Sequence, residues 1–407
     1  MTTTLTPETD RPDGAPPEAP EPDAPEPDAP EPVTPEIARF WHAAPFWMSM
    51  LTVPLALASI LWGGWWVLSL PLFAWGLFTL LDALSGLNLE NEDPGTPTGL
   101  LFWYRLVTLI WFPIQAGLIL FALATVPDAA HLILVEKWAI FFGLGVVSGA
   151  VGIVYAHELV HQKNNLERWL GDLLLSSVLY SHFRTEHLLV HHRYVGTVRD
   201  AVTARYNEGF HRFFPRVLRE GFTSALRAEA ERLRKKGLSP WSLKNPFWRY
   251  AALQAIWVAL ALLLGGWGGL VLFLVCALTA IWQLELTNYI EHYGLTRKYL
   301  GDGKYEHVKP RHSWNASHKA SNWLLINLQR HSDHHYKPDR RFPLLQTYGP
   351  DEAPQLPYGY PLMTQMAMIP PLWRRVMNPR VLAWRKQFYP EITDWAPYRG
   401  GTLPAPR

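Results

Sequence analysis

Six apolar runs of membrane-crossing length punctuate this chain, at about Pro45–Trp62, Trp65–Leu81, Phe102–Val126, Trp138–Ala156, Tyr250–Gly266 and Gly269–Leu286. A hydrocarbon core is spanned by a helix of about 17–25 residues, so each run predicts one transmembrane segment. Two pairs have tight links, Gly63-Gly64 and Gly265–Gly269, and read as helical hairpins across a bilayer. Long polar stretches lie between the fourth and fifth runs and after the sixth. The expectation is an all-α membrane protein whose polar cap lies on one face.

Charge orients these segments. Of 37 Lys and Arg, 16 fall between Lys163 and Arg249 and 17 between Arg297 and Arg407. With Arg11, Arg39 and Arg105 they place 36 basic residues on one side, against Lys137 on the other. Basic loops stay in the cytoplasm, so this side, with both termini, is expected inside a bacterial-type inner membrane. Twenty tryptophans suit aromatic belts at the membrane surfaces. The repeated Pro-Glu-Ala-Pro and Pro-Asp-Ala-Pro units before residue 37 have almost nothing to bury and predict a disordered acidic tail over 1–36. A membrane domain is expected over 37–395 and a flexible C-terminus over 396–407.

The polar cap carries the chemistry. Nine of the 16 histidines form four clusters: His157 and His161; His187, His191 and His192; His292; and His331, His334 and His335. All lie at the inner ends of apolar runs or in the cap. His157 and His161 are four apart and share one helix face. Adjacent residues on a helix diverge by about 100°, so His191 and His192 can address different metals. Nine imidazoles exceed the needs of one zinc ion, and nitrogen-rich sites with open positions suit redox-active iron. Metal-bound imidazole usually hands its other nitrogen to a carboxylate or carbonyl, for which Asp200, Glu291 and Asp333 are close in sequence, with Glu158 and Glu186 as further candidates. The remaining histidines, His42, His131, His182, His211, His307, His312 and His318, show no ligand spacing. One cysteine, Cys276, excludes an iron–sulfur cluster or an internal disulfide, so electrons for a redox reaction must come from another protein.

Two other classes compete. His157-Glu-Leu-Val-His161 alone has the spacing of a zinc metalloprotease with Glu158 as base, but leaves seven clustered histidines unused. A membrane metal transporter is expected to bind near the bilayer midplane, whereas these clusters sit at its inner edge.

The stretches His157–Gln162, Glu186–Arg193, Asn288–Leu295 and Leu328–His335 closely resemble the integral-membrane alkane 1-monooxygenases, non-haem di-iron hydroxylases related to membrane fatty-acid desaturases. The likeness extends through Trp241-Ser242, His312–Asn315, Ile369–Val376 and Pro379-Arg380-Val381, covering about residues 45–385. It implies six transmembrane helices under a cytoplasmic cap, with the nine clustered histidines holding two iron ions. It further implies dioxygen as co-substrate and rubredoxin, fed by an NAD(P)H-dependent reductase, as electron donor. Val160, Gln162 and Leu188-Leu189-Val190 depart from the family's usual residues without removing a ligand. A related hydroxylase acting on alkyl aromatics or acyl chains is the nearest alternative, and nothing points to nucleic acid.

An alkane offers no polar handle, so an apolar cavity must select it by shape. On the second run Val67, Leu70, Ala74, Leu77, Phe78 and Leu81 form one helical stripe that can line such a channel. Small Ala74 would leave room for medium to long chains, and Pro71 is positioned to kink the helix. Arg340-Arg341 and Arg374-Arg375 are candidate docking charges for an acidic electron donor.

Overall fold

In hydrocarbon a backbone must satisfy its own N–H and C=O groups, which makes helices of the apolar runs. The computed structural model describes residues 35–399. The tail expected before residue 37 lies outside them except for Pro35 and Glu36, as does the C-terminus beyond Arg399. Among the described residues, α1 (Phe40–Trp62), α2 (Gly64–Ser85), α3 (Thr98–Thr125) and α4 (Leu134–His161) are long and apolar enough to cross a membrane. Helices α5 (Asn165–Ser176) and α6 (Phe210–Lys235) follow. The fifth helix of membrane length is α7 (Pro246–His292), 47 residues long.

Two of the six expected segments are thus merged in α7, but Gly266 divides it, with φ 58° and ψ −155°. Only glycine adopts that backbone without a Cβ clash. The Trp257 and Phe273 rings stack at 6.1 Å, whereas a straight helix would hold them about 24 Å apart. The two limbs therefore fold back on each other. The α1–α2 link repeats the device: Gly63 has φ 62° and ψ −144°, and Ser59 and Ser69 meet at 3.2 Å.

Helix α4 is the centre of the bundle. Of its apolar window 89% is buried, against 22–44% for the other four. Small residues permit this. A Cβ on Gly145 would stand 2.6 Å from the Cys276 carbonyl, and one on Gly149 2.6 Å from that of Ala280. Backbones of α4 and α7 consequently touch, the contact small residues allow in membranes. Both helices end in histidine at the same end of the bundle.

There the cap closes over them. Beyond α6 and α7 it contains a hairpin of β1 (Tyr299–Gly301) and β2 (Lys304–Tyr305), then α8 (His331–Tyr336) and α9 (Pro370–Phe388). Asn164 and Asn245 cap the starts of α5 and α7 by accepting from Leu166 and Phe247. Asp82 of α2 accepts from the Ser321 amide at 2.8 Å, and Arg330 donates to the carbonyls of Glu90 and Leu345. These bonds fasten the cap just before α8.

Candidate metal centre

Each histidine cluster arrives on a different element. His157 and His161 stand on the last turns of α4, and His292 ends α7. Following the short helix Phe183–Glu186, the second cluster sits on two consecutive pieces, the π-helix His187–His191 and the turn of helix His192–Tyr194. Widening to i→i+5 bonding is common at functional sites. Helix α8 supplies His331, His334 and His335.

The nine imidazoles sort into two groups. One contains His157, His161, His187, His192 and His334; the other contains His191, His292, His331 and His335. Within each group, one nitrogen per residue lies within 4.8 Å of all the others. His191 and His192 fall into different groups, and so do His334 and His335. In the first group Nε2 of His192 is 2.9 Å from that of His187 and 3.2 Å from that of His161. In the second, His331 is 3.1 Å from His292 and 3.0 Å from His335. Two nitrogens bound at about 2.1 Å and a right angle to one ion would stand about 3 Å apart.

Burial pushes the imidazoles of His187, His192, His331, His334 and His335 well below their usual range, and neighbouring histidines push the same way. Neutral rings with converging lone pairs repel one another unless a cation lies between them. The donor sets therefore fit two metal ions, and an all-imidazole set suits a borderline metal such as iron better than magnesium or calcium.

Carboxylates orient part of the second group. Asp200 stands 3.0 Å from Nδ1 of His191 and accepts from Thr203 at 2.7 Å. Glu291 lies 3.3 Å from Nδ1 of His331, in contact but without an aligned hydrogen bond. Asp333 departs from the expected role. Its oxygens take Arg340 at 2.5 Å, Tyr348 at 2.6 Å and the Gln346 amide at 3.0 Å. The three histidines of α8 turn inward at i, i+3 and i+4, which leaves Asp333 to clamp the following loop. Glu158 accepts from Gln162 at 2.9 Å, one turn along.

Sequence reasoning missed the pair Tyr180 and Glu285, which bond at 2.8 Å beneath the second group. Glu285 has a visible signal, a carboxylate within an apolar run; Tyr180 has none. His312 lies outside both groups, buried against Tyr389 at 2.8 Å. Arg341 pairs with Glu167 at 3.0 Å and Arg340 with Asp333, so the first of the two expected docking pairs is tied into the fold, while Arg375 of the second is exposed. On α2, Val67, Leu70, Ala74 and Phe78 are buried and Leu81 partly so, while Leu77 is exposed. The π-helix Leu72–Leu77 explains the break: its wider turn keeps Phe78 below Ala74 and swings Leu77 outward.

The chain is similar to known proteins over most of this architecture. A family model described as fatty acid desaturase matches residues 136–367, which contain all nine clustered histidines. Alkane 1-monooxygenase 1 of Pseudomonas aeruginosa is 40% identical over 334 residues, 78% of this chain and 84% of the relative. Alkane 1-monooxygenase 2 of Alcanivorax borkumensis is 38% identical over 329 residues, 79% and 84% respectively. The xylene/toluene monooxygenase hydroxylase component of Pseudomonas putida is more distant, 28% identical over 246 residues, 60% and 64%.

Proposed function

Since this chain belongs to the alkane 1-monooxygenases of the fatty acid desaturase family, we propose that it hydroxylates medium to long n-alkanes at the terminal carbon, giving primary alcohols. The observation that carries this reading is the pair of imidazole groups where α4 and α7 end. The five-histidine and four-histidine groups would each hold one iron ion, and the pair, when bound, would supply the redox chemistry for reducing dioxygen and attacking a strong C–H bond. One oxygen atom enters the alcohol and the other leaves as water.

The protein's own residues position the reactants. The buried stripe Val67, Leu70, Ala74 and Phe78, with Leu81, lines the path of the alkane, which enters from lipid and is selected by shape. Asp200 fixes the ring of His191 by a hydrogen bond, and Glu291 stands beside Nδ1 of His331. Six transmembrane segments, counting both limbs of α7, stand in the inner membrane with both termini and the cap in the cytoplasm. Electrons come from rubredoxin, itself reduced by an NAD(P)H-dependent reductase. They enter where His161 borders a cavity of about 560 Å³ that Lys163 and Lys337 also line.

Iron-loaded membranes supplied with reduced rubredoxin, ¹⁸O₂ and alkanes from octane to hexadecane test the proposal by mass spectrometry of the products. Labelled primary alcohols are expected. Labelled product only from alkyl aromatics or acyl chains would move the substrate assignment to those classes. Replacing Ala74 with phenylalanine is expected to shift products toward shorter chains, and an unchanged profile would remove the stripe from the channel.

A further inference from the structure

Helix α6 presents two different apolar faces. Val217, Gly221, Ala225 and Leu233 are buried against the cap. Beside them Phe222, Leu226, Ala230 and Arg234 recur every four residues and so share a second face. Phe222 and Leu226 on that face are exposed. The Phe222 ring meets Phe247 at 6.1 Å, which sets the stripe against the first turn of α7, where an apolar span begins. Between them opens a concavity of about 440 Å³, lined by Leu226, Ala230, Trp241, Phe247, Trp248 and Ala251.

The loop joining α6 to α7 continues the surface. Trp241 is 80% and Leu243 90% exposed. Exposed Arg234, Lys236 and Lys244 make no ion pair among the described residues. An apolar groove with exposed Trp241 thus opens at the start of a membrane-length helix, and the unpaired cations flank it in sequence, Arg234 one turn beyond Ala230 and Lys244 next to Asn245.

We propose that this groove is a binding site for an anionic phospholipid. One acyl chain lies along Leu226, Ala230, Trp241 and Trp248, and Arg234, Lys236 and Lys244 hold the headgroup phosphate. Two features select a bilayer lipid over a protein partner. The groove is continuous with exposed Ala251 on α7, so its floor lies where hydrocarbon begins. Tryptophan and unpaired basic residues are the side chains that favour the interface and anionic headgroups. The site also reaches the metal centre through one helix, because a Cβ on Gly221 would stand 3.7 Å from Glu186, the neighbour of His187. This inference concerns lipid binding and stands apart from the proposed reaction.

The full-length protein, reconstituted in nanodiscs of equal parts phosphatidylcholine and phosphatidylglycerol, tests the site by native mass spectrometry of retained lipid. Preferential retention of phosphatidylglycerol is expected. Lys244→Glu should reduce that retention by about fivefold or more and Lys244→Arg should restore it. The pair Trp241→Ser and Leu243→Ser should lower retention of both lipids. Should the charge reversal unfold the protein, Lys244→Gln gives the same reading at smaller size. Equal retention of both lipids, or retention unaffected by these changes, would overturn the proposal. Displacement by excess inorganic phosphate would overturn it too, since it would mark a free-anion site.

Discussion

The two histidine groups look alike in chemistry and differ in exposure. All four members of the second group are buried, whereas His161 and His192 in the first are only partly so. His161 borders a cavity with polar walls, and the second group lies behind it against Asp200 and Glu291. As ligand sets, five imidazoles with an opening and four beside carboxylates would be two solutions to one problem. The first would retain a metal ion by number, the second by orientation and exclusion of water. Nonequivalent ions would then follow from protein architecture rather than from ligand type.

The largest effect should come from shortening the smaller set. His331→Ala leaves three imidazoles there, and turnover is expected to fall by more than about 100-fold, beyond the loss usual for an outer partner. Metal content measured by mass spectrometry should drop by roughly half of the total, since the other set is intact. His161→Ala leaves four of five and should cost less metal. Equal metal loss in the two variants would erase the distinction.

Removing an anchor comes next. Glu291→Gln should weaken metal retention in the second group alone by about 10–100-fold, and Asp200→Asn similarly. A dialysis series against graded chelator would read this, and loss from both groups together would count against selective anchoring. In the unaltered protein the same chelator should draw out metal in two phases. The buried group empties only through local opening, which predicts a slower phase by about tenfold or more. A single phase would show that the exposure of His161 and His192 has no bearing on release.

How much of this was readable beforehand depended on local spacing. His157 with His161, and His331 with His334 and His335, announce themselves at i, i+3 and i+4 because a helix turns fixed spacing into a shared face. The division into two groups was partly visible at His191 and His192, since adjacent residues must diverge. Which distant residues join each group was not, because it depends on how four separate elements meet. Leu77 was misread for a different reason: no residue pattern marked the π-helix that turns it outward. Asp333 had the right chemistry and sequence position for a histidine partner, yet Arg340 and Tyr348 arrive from the next loop and take its oxygens. Gly265–Gly269 did signal a fold-back, and the stacked rings of Trp257 and Phe273 show it.

Asp333 also supplies the smallest and most discriminating test. Helix α8 gives His334 to one group and His331 and His335 to the other, so it is common to both. Its carboxylate restrains the helix through Arg340, Gln346 and Tyr348 and touches neither set directly. Asp333→Asn should therefore lower thermal stability by about 1–3 kcal/mol, the usual penalty for a disrupted buried polar contact. Metal retention should weaken by only a few-fold at most and equally in both phases of chelation, unlike the selective loss expected for Glu291→Gln. Selective loss from the second group in Asp333→Asn would mean that this carboxylate reaches His331 or His335 in the metal-loaded protein, and the contrast between an anchored and an unanchored carboxylate would fail.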